Sequence, residues 1–102
     1  MNVVVHPLAR AEIDGAIDAY LAISVGLGRR LAGEFDLIME ELGTDPLRWG
    51  FYEPLAAEKR WRRRMTVGFP FVVIYDVSDE SVRVIAAPHA SRSVGYWLGR
   101  DR

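Results

Sequence analysis

The sequence predicts an α+β fold of order β-α-α-β-β-β, with a helix hairpin packed on one face of a mostly antiparallel four-stranded sheet. Three observations lead there. Apolar residues recur at three and four positions through the first 45 residues, which is helical spacing. From residue 60 the pattern changes to runs rich in Val, Ile, Phe, Tyr and Trp. The 102 residues, half of them apolar, suffice for a single domain spanning 1–102.

Val3-Val4-Val5 is a short β-branched run and reads as the first strand. His6-Pro7 follows, and proline suits the first turn of a helix, where a missing N–H costs nothing. The His6 side chain stands where an N-cap acceptor is wanted. Leu8, Ile13, Ala16, Ile17, Tyr20, Leu21 and Ser24 then form one stripe. Arg10, Glu12, Asp14 and Asp18 fall mostly on the other side. Gly26 and Gly28 favour a turn, after which Leu27, Leu31, Phe35, Ile38, Met39 and Leu42 carry a second amphipathic helix. Gly43 is placed to end it and Pro46 prevents resumption.

Residues 44–59 have no clean period and read as a loop with a helical turn near Leu55-Ala56-Ala57. Arg60 to Val67 is the next strand, stopped by Gly68. Phe71-Val72-Val73-Ile74-Tyr75 is nearly continuously apolar, as at the centre of a sheet. Ser78-Asp79-Glu80 makes a turn, and Val82 to Ala87 ends at Pro88. Parity lets the helix pair return the chain to the end of the first strand. All neighbouring strands are then antiparallel, and the sheet face away from the helices stays partly open.

The composition excludes several chemistries. There is no cysteine, so there is no disulfide framework, thiolate zinc site or cysteine nucleophile. Two distant histidines give no metal site, and no cofactor is expected. No apolar run nears the ~20 residues that span a bilayer, and Met1 to Val5 is too short for a secretory signal. A soluble cytoplasmic protein with no membrane partner is the expectation. The formal charge of −1 hides an asymmetry: residues 1–59 carry ten acids and five bases, residues 60–102 four acids and eight arginines. An acidic helical half is joined to a basic half, which is informative about partners.

Arg60-Trp61-Arg62-Arg63-Arg64-Met65 is the densest expression of that charge. Side chains alternate along a strand, so Arg60, Arg62 and Arg64 are expected on one face, about 6–7 Å apart. Trp61, Arg63 and Met65 take the other face, which the large apolar Trp61 and Met65 make the core side, with Arg63 near an edge. Such a row suits a phosphate track or an acidic protein segment. The plainer reading is charge protection of an edge strand, for which lysine is the usual residue. Beyond the last strand stand His89, Arg92 and Tyr96, with Arg83 expected on the same face as His89. Arginine can stabilise a charged transition state while histidine or tyrosine moves a proton, so these three are the catalytic candidates. Against that, a histidine after a strand commonly caps the backbone, and Tyr96-Trp97 can simply pack.

Taken together, the sequence resembles the RelE/ParE superfamily of bacterial type II toxin–antitoxin toxins. The resemblance is carried by Val3-Val4-Val5-His6-Pro7, by the arginine strand leading to Gly68-Phe69-Pro70 and Phe71 to Tyr75, and by Val84 to Arg92 followed by Tyr96-Trp97 and Arg100. It implies a toxin neutralised by a cognate antitoxin. Oligomers are expected only through that complex, or as a weak dimer for which the acidic helix hairpin offers a surface. It also implies one of two activities: metal-independent cleavage of mRNA in the ribosome, or poisoning of DNA gyrase. A non-toxic module that retains only antitoxin binding is the alternative. By position, Arg60, Arg62 and Arg64 supply the sheet bases, and Arg92 and Tyr96 the arginine and tyrosine near the C-terminus. Ala90 falls where RelE-like nucleases tend to carry a catalytic arginine, and the lysines of those nucleases are absent from the sheet, which leaves both activities open.

Overall fold

The structure is a computed structural model and describes residues 1–101. Its elements are β1 (Asn2–Val5), α1 (Pro7–Ile23), α2 (Val25–Thr44), a 3₁₀ segment (Glu53–Glu58), β2 (Arg62–Met65), β3 (Val72–Val77), β4 (Ser81–Ala86) and a final 3₁₀ turn (Leu98–Arg100). The predicted order and α+β class are found.

His6 caps α1 as its position suggested: Nδ1 accepts the Leu8 N–H at 3.0 Å, with Pro7 in the first turn. The break between the helices is not at the glycines. It is the single extended residue Ser24 (φ −158°), whose N–H donates to the Tyr20 carbonyl at 2.9 Å while its Oγ accepts from Leu27 N–H at 3.3 Å. One serine thus caps both helices. Gly28 serves packing instead, since a Cβ there would stand 2.3 Å from Leu21 Cδ2 and 2.9 Å from Leu21 Cα. Only glycine allows the helices to approach so closely.

The strand order is β1-β4-β3-β2, with β2–β3 and β3–β4 antiparallel but β1–β4 parallel (Val3 beside Val82, Val5 beside Val84). The expectation that every neighbour is antiparallel is therefore corrected. The helix pair does not return the chain to the end of β1. It lies across the sheet, and the end of α2 meets the start of β1, where the Met1 amino group donates to the Gly43 carbonyl at 2.6 Å. β2 consequently starts from the same end as β1.

The helix-side core contains Ala9, Ile13, Leu31, Phe35, Ile38 and Leu42 against Phe71, Val73, Tyr75, Val82 and Val84. The opposite face is also closed, against expectation. Trp61, Val72, Ile74, Ile85, Ala86 and Trp97 form a second core, flanked by Tyr52, Leu55 and Tyr96. The 3₁₀ segment and the chain after Pro88 supply its cover. Val72 through Tyr75 are buried without interruption because β3 has a core on each side. Among the described residues no helix is long and apolar enough to cross a membrane.

Candidate functional site

The arginine row alternates as predicted but faces the other way. Arg62 and Arg64 point to the helix side. Arg62 Nη1 donates to the Trp49 carbonyl at 2.6 Å and its guanidinium lies 4.3 Å from the Phe51 ring centroid. Arg64 Nε donates to Glu41 Oε2 at 3.0 Å, and its guanidinium stacks 4.4 Å over Trp49, leaving the side chain 12% exposed. The loop 45–51 is what reaches them. It is anchored by the buried Tyr75 hydroxyl, which donates to the Pro46 carbonyl at 2.7 Å. Burial pushes that phenol up to about 12, so it remains a donor.

Arg60 precedes β2 and escapes the strand's alternation. It turns onto Trp61, at 4.3 Å from the ring, and joins Arg83 in a four-residue ion cluster with Asp76 and Asp101. The Arg60–Asp101 and Arg83–Asp101 approaches are 2.7 and 2.6 Å. Hydrogen bonds from Arg60 and then Arg83 hold the Asp101 carboxyl below its ordinary value, outweighing slight burial. The single open track of Arg60, Arg62 and Arg64 is thus corrected: these side chains lie on two faces and each is engaged within the chain.

Arg63 differs. It stands on the second face with its side chain 36% exposed, and its nearest carboxylate is Glu53 at 3.9 Å, itself 84% exposed. It edges an open concavity of about 350 Å³ lined also by Tyr52, Glu53, Pro54, Met65, Val72 and Ala90. Ala90 contributes by being small. Its N–H donates to the Pro70 carbonyl at 2.7 Å, which fixes the 88–91 turn at the concavity's edge.

His89 pairs through its backbone with Phe71. Its Nδ1 accepts the Ser91 N–H at 3.1 Å and lies 2.7 Å from Ser91 Oγ. A neutral imidazole held this way carries its proton on Nε2. Arg92 N–H closes the turn on the His89 carbonyl at 2.9 Å, and the Arg92 guanidinium stacks 4.1 Å over Tyr96. No side-chain hydrogen bond among the described residues joins His89 to either Arg92 or Tyr96.

The Tyr96 hydroxyl donates to Glu12, a residue that the helical pattern assigned to the solvent side. Glu12 also accepts from Arg100 Nη1 at 2.7 Å and from Ala87 N–H at 3.1 Å. Burial opposes ionisation of Glu12, but the hydrogen bonds from Arg100, Tyr96 and Ala87 together hold its carboxyl below the ordinary range. Burial and the Glu12 carboxylate both push the Tyr96 phenol far up. Tyr96 is therefore a committed donor, and taking its proton at neutral pH is costly. Sequence reasoning missed Glu12 because its partners lie 75 to 88 residues away. The one available sign was a carboxylate directly before the buried Ile13.

No family model matches the sequence. No curated protein matches it either. The fold does have a solved counterpart: a chain of the chromosomal ParDE TA system from P. aeruginosa superposes with a TM-score of 0.71 at 13% identity, covering 89% of this chain and 97% of that one. At this identity the likeness is one of fold.

Proposed function

We propose that this chain is the toxin of a type II toxin–antitoxin module, acting in the cytoplasm, held inactive by a cognate antitoxin, and working by docking onto a protein target of the gyrase type. The observation that carries the reading is the fold shared over 89% of the chain with a ParDE system chain. The preference for docking over mRNA cleavage rests on the site. Arg60, Arg62, Arg64 and Arg83 are occupied by internal carboxylates and carbonyls. Tyr96 has its proton pinned to Glu12. What is presented outward on the strand is Arg63, with the solvated Glu53 3.9 Å away, beside the apolar surface of Met65, Val72 and Ala90, while the exposed Arg92 is stacked on Tyr96. A single arginine with one acidic neighbour next to apolar area suits a protein surface better than a run of phosphates.

The stacking of Arg92 on Tyr96 favours a second reading, a ribosome-dependent ribonuclease. There Arg62, Arg64 and Arg92 hold phosphate and His89 or Tyr96 moves the proton, once their internal partners are released. Induced expression without antitoxin separates the two. Docking predicts growth arrest with an SOS response and intact transcripts, lost in Arg63→Glu and retained in Tyr96→Phe. Cuts in ribosome-bound mRNA that disappear in Tyr96→Phe would establish the ribonuclease instead. Absence of any arrest would remove the toxin reading.

A further inference from the structure

The two edges of the sheet are treated differently. β2 is blunted by arginines and partly strapped: Arg63 N–H donates to the Gly50 carbonyl at 3.0 Å, and Tyr52 N–H to the Trp61 carbonyl at 2.8 Å. β1, the other edge, is Asn2-Val3-Val4-Val5, without a charge, proline or bulge. Uncharged apolar edges invite pairing, and proteins normally guard or use them.

The hydrogen-bonding groups left on that edge can be assigned. In a parallel pair the N–H and C=O of one residue point to the same side, and successive residues alternate. His6 N–H donates to the Val84 carbonyl at 2.9 Å, toward β4. Val4 and Asn2 therefore also face β4, while Val3 and Val5 present both N–H and C=O outward. The side chains sort the opposite way to solvent. Val3 and Val5 pack on the helix-side core, and Val4 stands on the other face at 46% exposure.

We propose that β1 pairs antiparallel with β1 of a second copy of this chain, about a two-fold axis through Val4. In this register Val3 of one copy and Val5 of its partner exchange both hydrogen bonds, and the symmetric pair does the same. All four outward groups of each strand are satisfied by four bonds in total. Val4 meets its own equivalent as a non-hydrogen-bonded pair, with Cα atoms about 4.5 Å apart and side chains on one face. The same segment is its own complement, as a two-fold interface requires. It has no charge to repel its copy. The result is one eight-stranded sheet with both helix layers on the same side. Four residues per copy bury little area, so the dimer is weak, dissociating in the micromolar range or above.

The chain has no cysteine, so a single engineered thiol reports one contact without background. Val4→Cys in the full chain should form a disulfide-linked dimer under mild oxidation, because the Cα separation at the two-fold lies within disulfide range. Val67→Cys, on a still more exposed residue beyond the β2 edge (67% against 46% for Val4), should cross-link far less. Sedimentation of the unmodified chain should show concentration-dependent dimer, abolished in Val4→Glu, which places two carboxylates face to face while circular dichroism remains unchanged. Equal cross-linking of both cysteine variants, or a monomer at several hundred micromolar, overturns the proposal. So does cross-linking of Val4→Cys only to a different protein chain.

Discussion

Trp97→Ala tests whether the sheet truly has two covered faces. Trp97 is fully buried. Its ring meets Trp61 edge-on with centroids 4.8 Å apart and Tyr52 at 6.2 Å. Truncating a buried tryptophan costs about 3–5 kcal/mol, including the cavity left behind, and each aromatic pair lost adds about 0.5–1.5 kcal/mol to simple area burial. The higher end applies here, because the floor of the cavity would be the hydrogen-bonded sheet residues Val72, Ile74, Ile85 and Ala86, which have little room to collapse. A domain of this size has about 5–15 kcal/mol in total, so the variant loses a third or more of its stability. The corresponding fall in Tm is roughly 15–30 °C. Urea and thermal unfolding followed by far-UV circular dichroism measures this without relying on the deleted fluorophore. Trp97→Phe should recover part of the loss. A cost below about 1 kcal/mol would mean that the second face is open to water, and that the concavity beside Arg63 has no fixed floor.

Two further outcomes follow from the helices and the ion clusters. Gly28→Ala should destabilise by about 1–2 kcal/mol despite the better helix former, because the new Cβ meets the Leu21 backbone. Gly15→Ala, with nothing within 4 Å, should stabilise by about 0.5–1 kcal/mol. The reverse order in thermal melts would contradict the close helix contact. Glu12 and Asp101 have carboxyls held below their ordinary values of 4.5 and 3.8. Their stabilisation is complete above those values and is lost as pH falls through the lower folded-state values. Unfolding free energy should therefore drop on acidification below about pH 4.5, and Glu12→Gln should flatten part of that slope. An unchanged acid limb in Glu12→Gln would remove the Glu12 cluster from the balance.

Much of the fold was legible because local signals were strong. The helical stripes, the His6-Pro7 start and the unbroken apolar run of β3 each have one physical meaning. β3 even implied two covered faces, since a strand buried at every residue needs a core on each side. That implication conflicts with an open face, and the structure resolves the conflict in favour of β3. The side chosen for the arginines failed for a related reason. Trp61 does lie in a core, but there are two cores, and the alternation of β2 cannot say which one a tryptophan joins. The site was less legible still. Glu12, Tyr96 and Arg100 meet through contacts spanning most of the chain, and periodicity describes only neighbours.

The charge asymmetry acquires a different meaning once the contacts are known. The arginine-rich half looks like a surface awaiting an anion, yet most of its anions are internal: Glu41 and Glu12 come from the acidic helices, Asp76 and Asp101 from the sheet and the final turn. Partly buried pairs of this kind are hard to displace, because a released guanidinium and a released carboxylate must both find new partners. An incoming polyanion must overcome that cost at Arg60, Arg64 and Arg83, and must displace the Trp49 carbonyl at Arg62, whereas Arg63 has only the solvated Glu53 nearby. A partner that places one carboxylate at Arg63 and an apolar side chain beside Met65 meets no such barrier. The arginine strand is therefore largely an internal clasp between layers, and among the described residues Arg63 is the guanidinium of that strand held by no side-chain hydrogen bond, its nearest carboxylate being the solvated Glu53 at 3.9 Å.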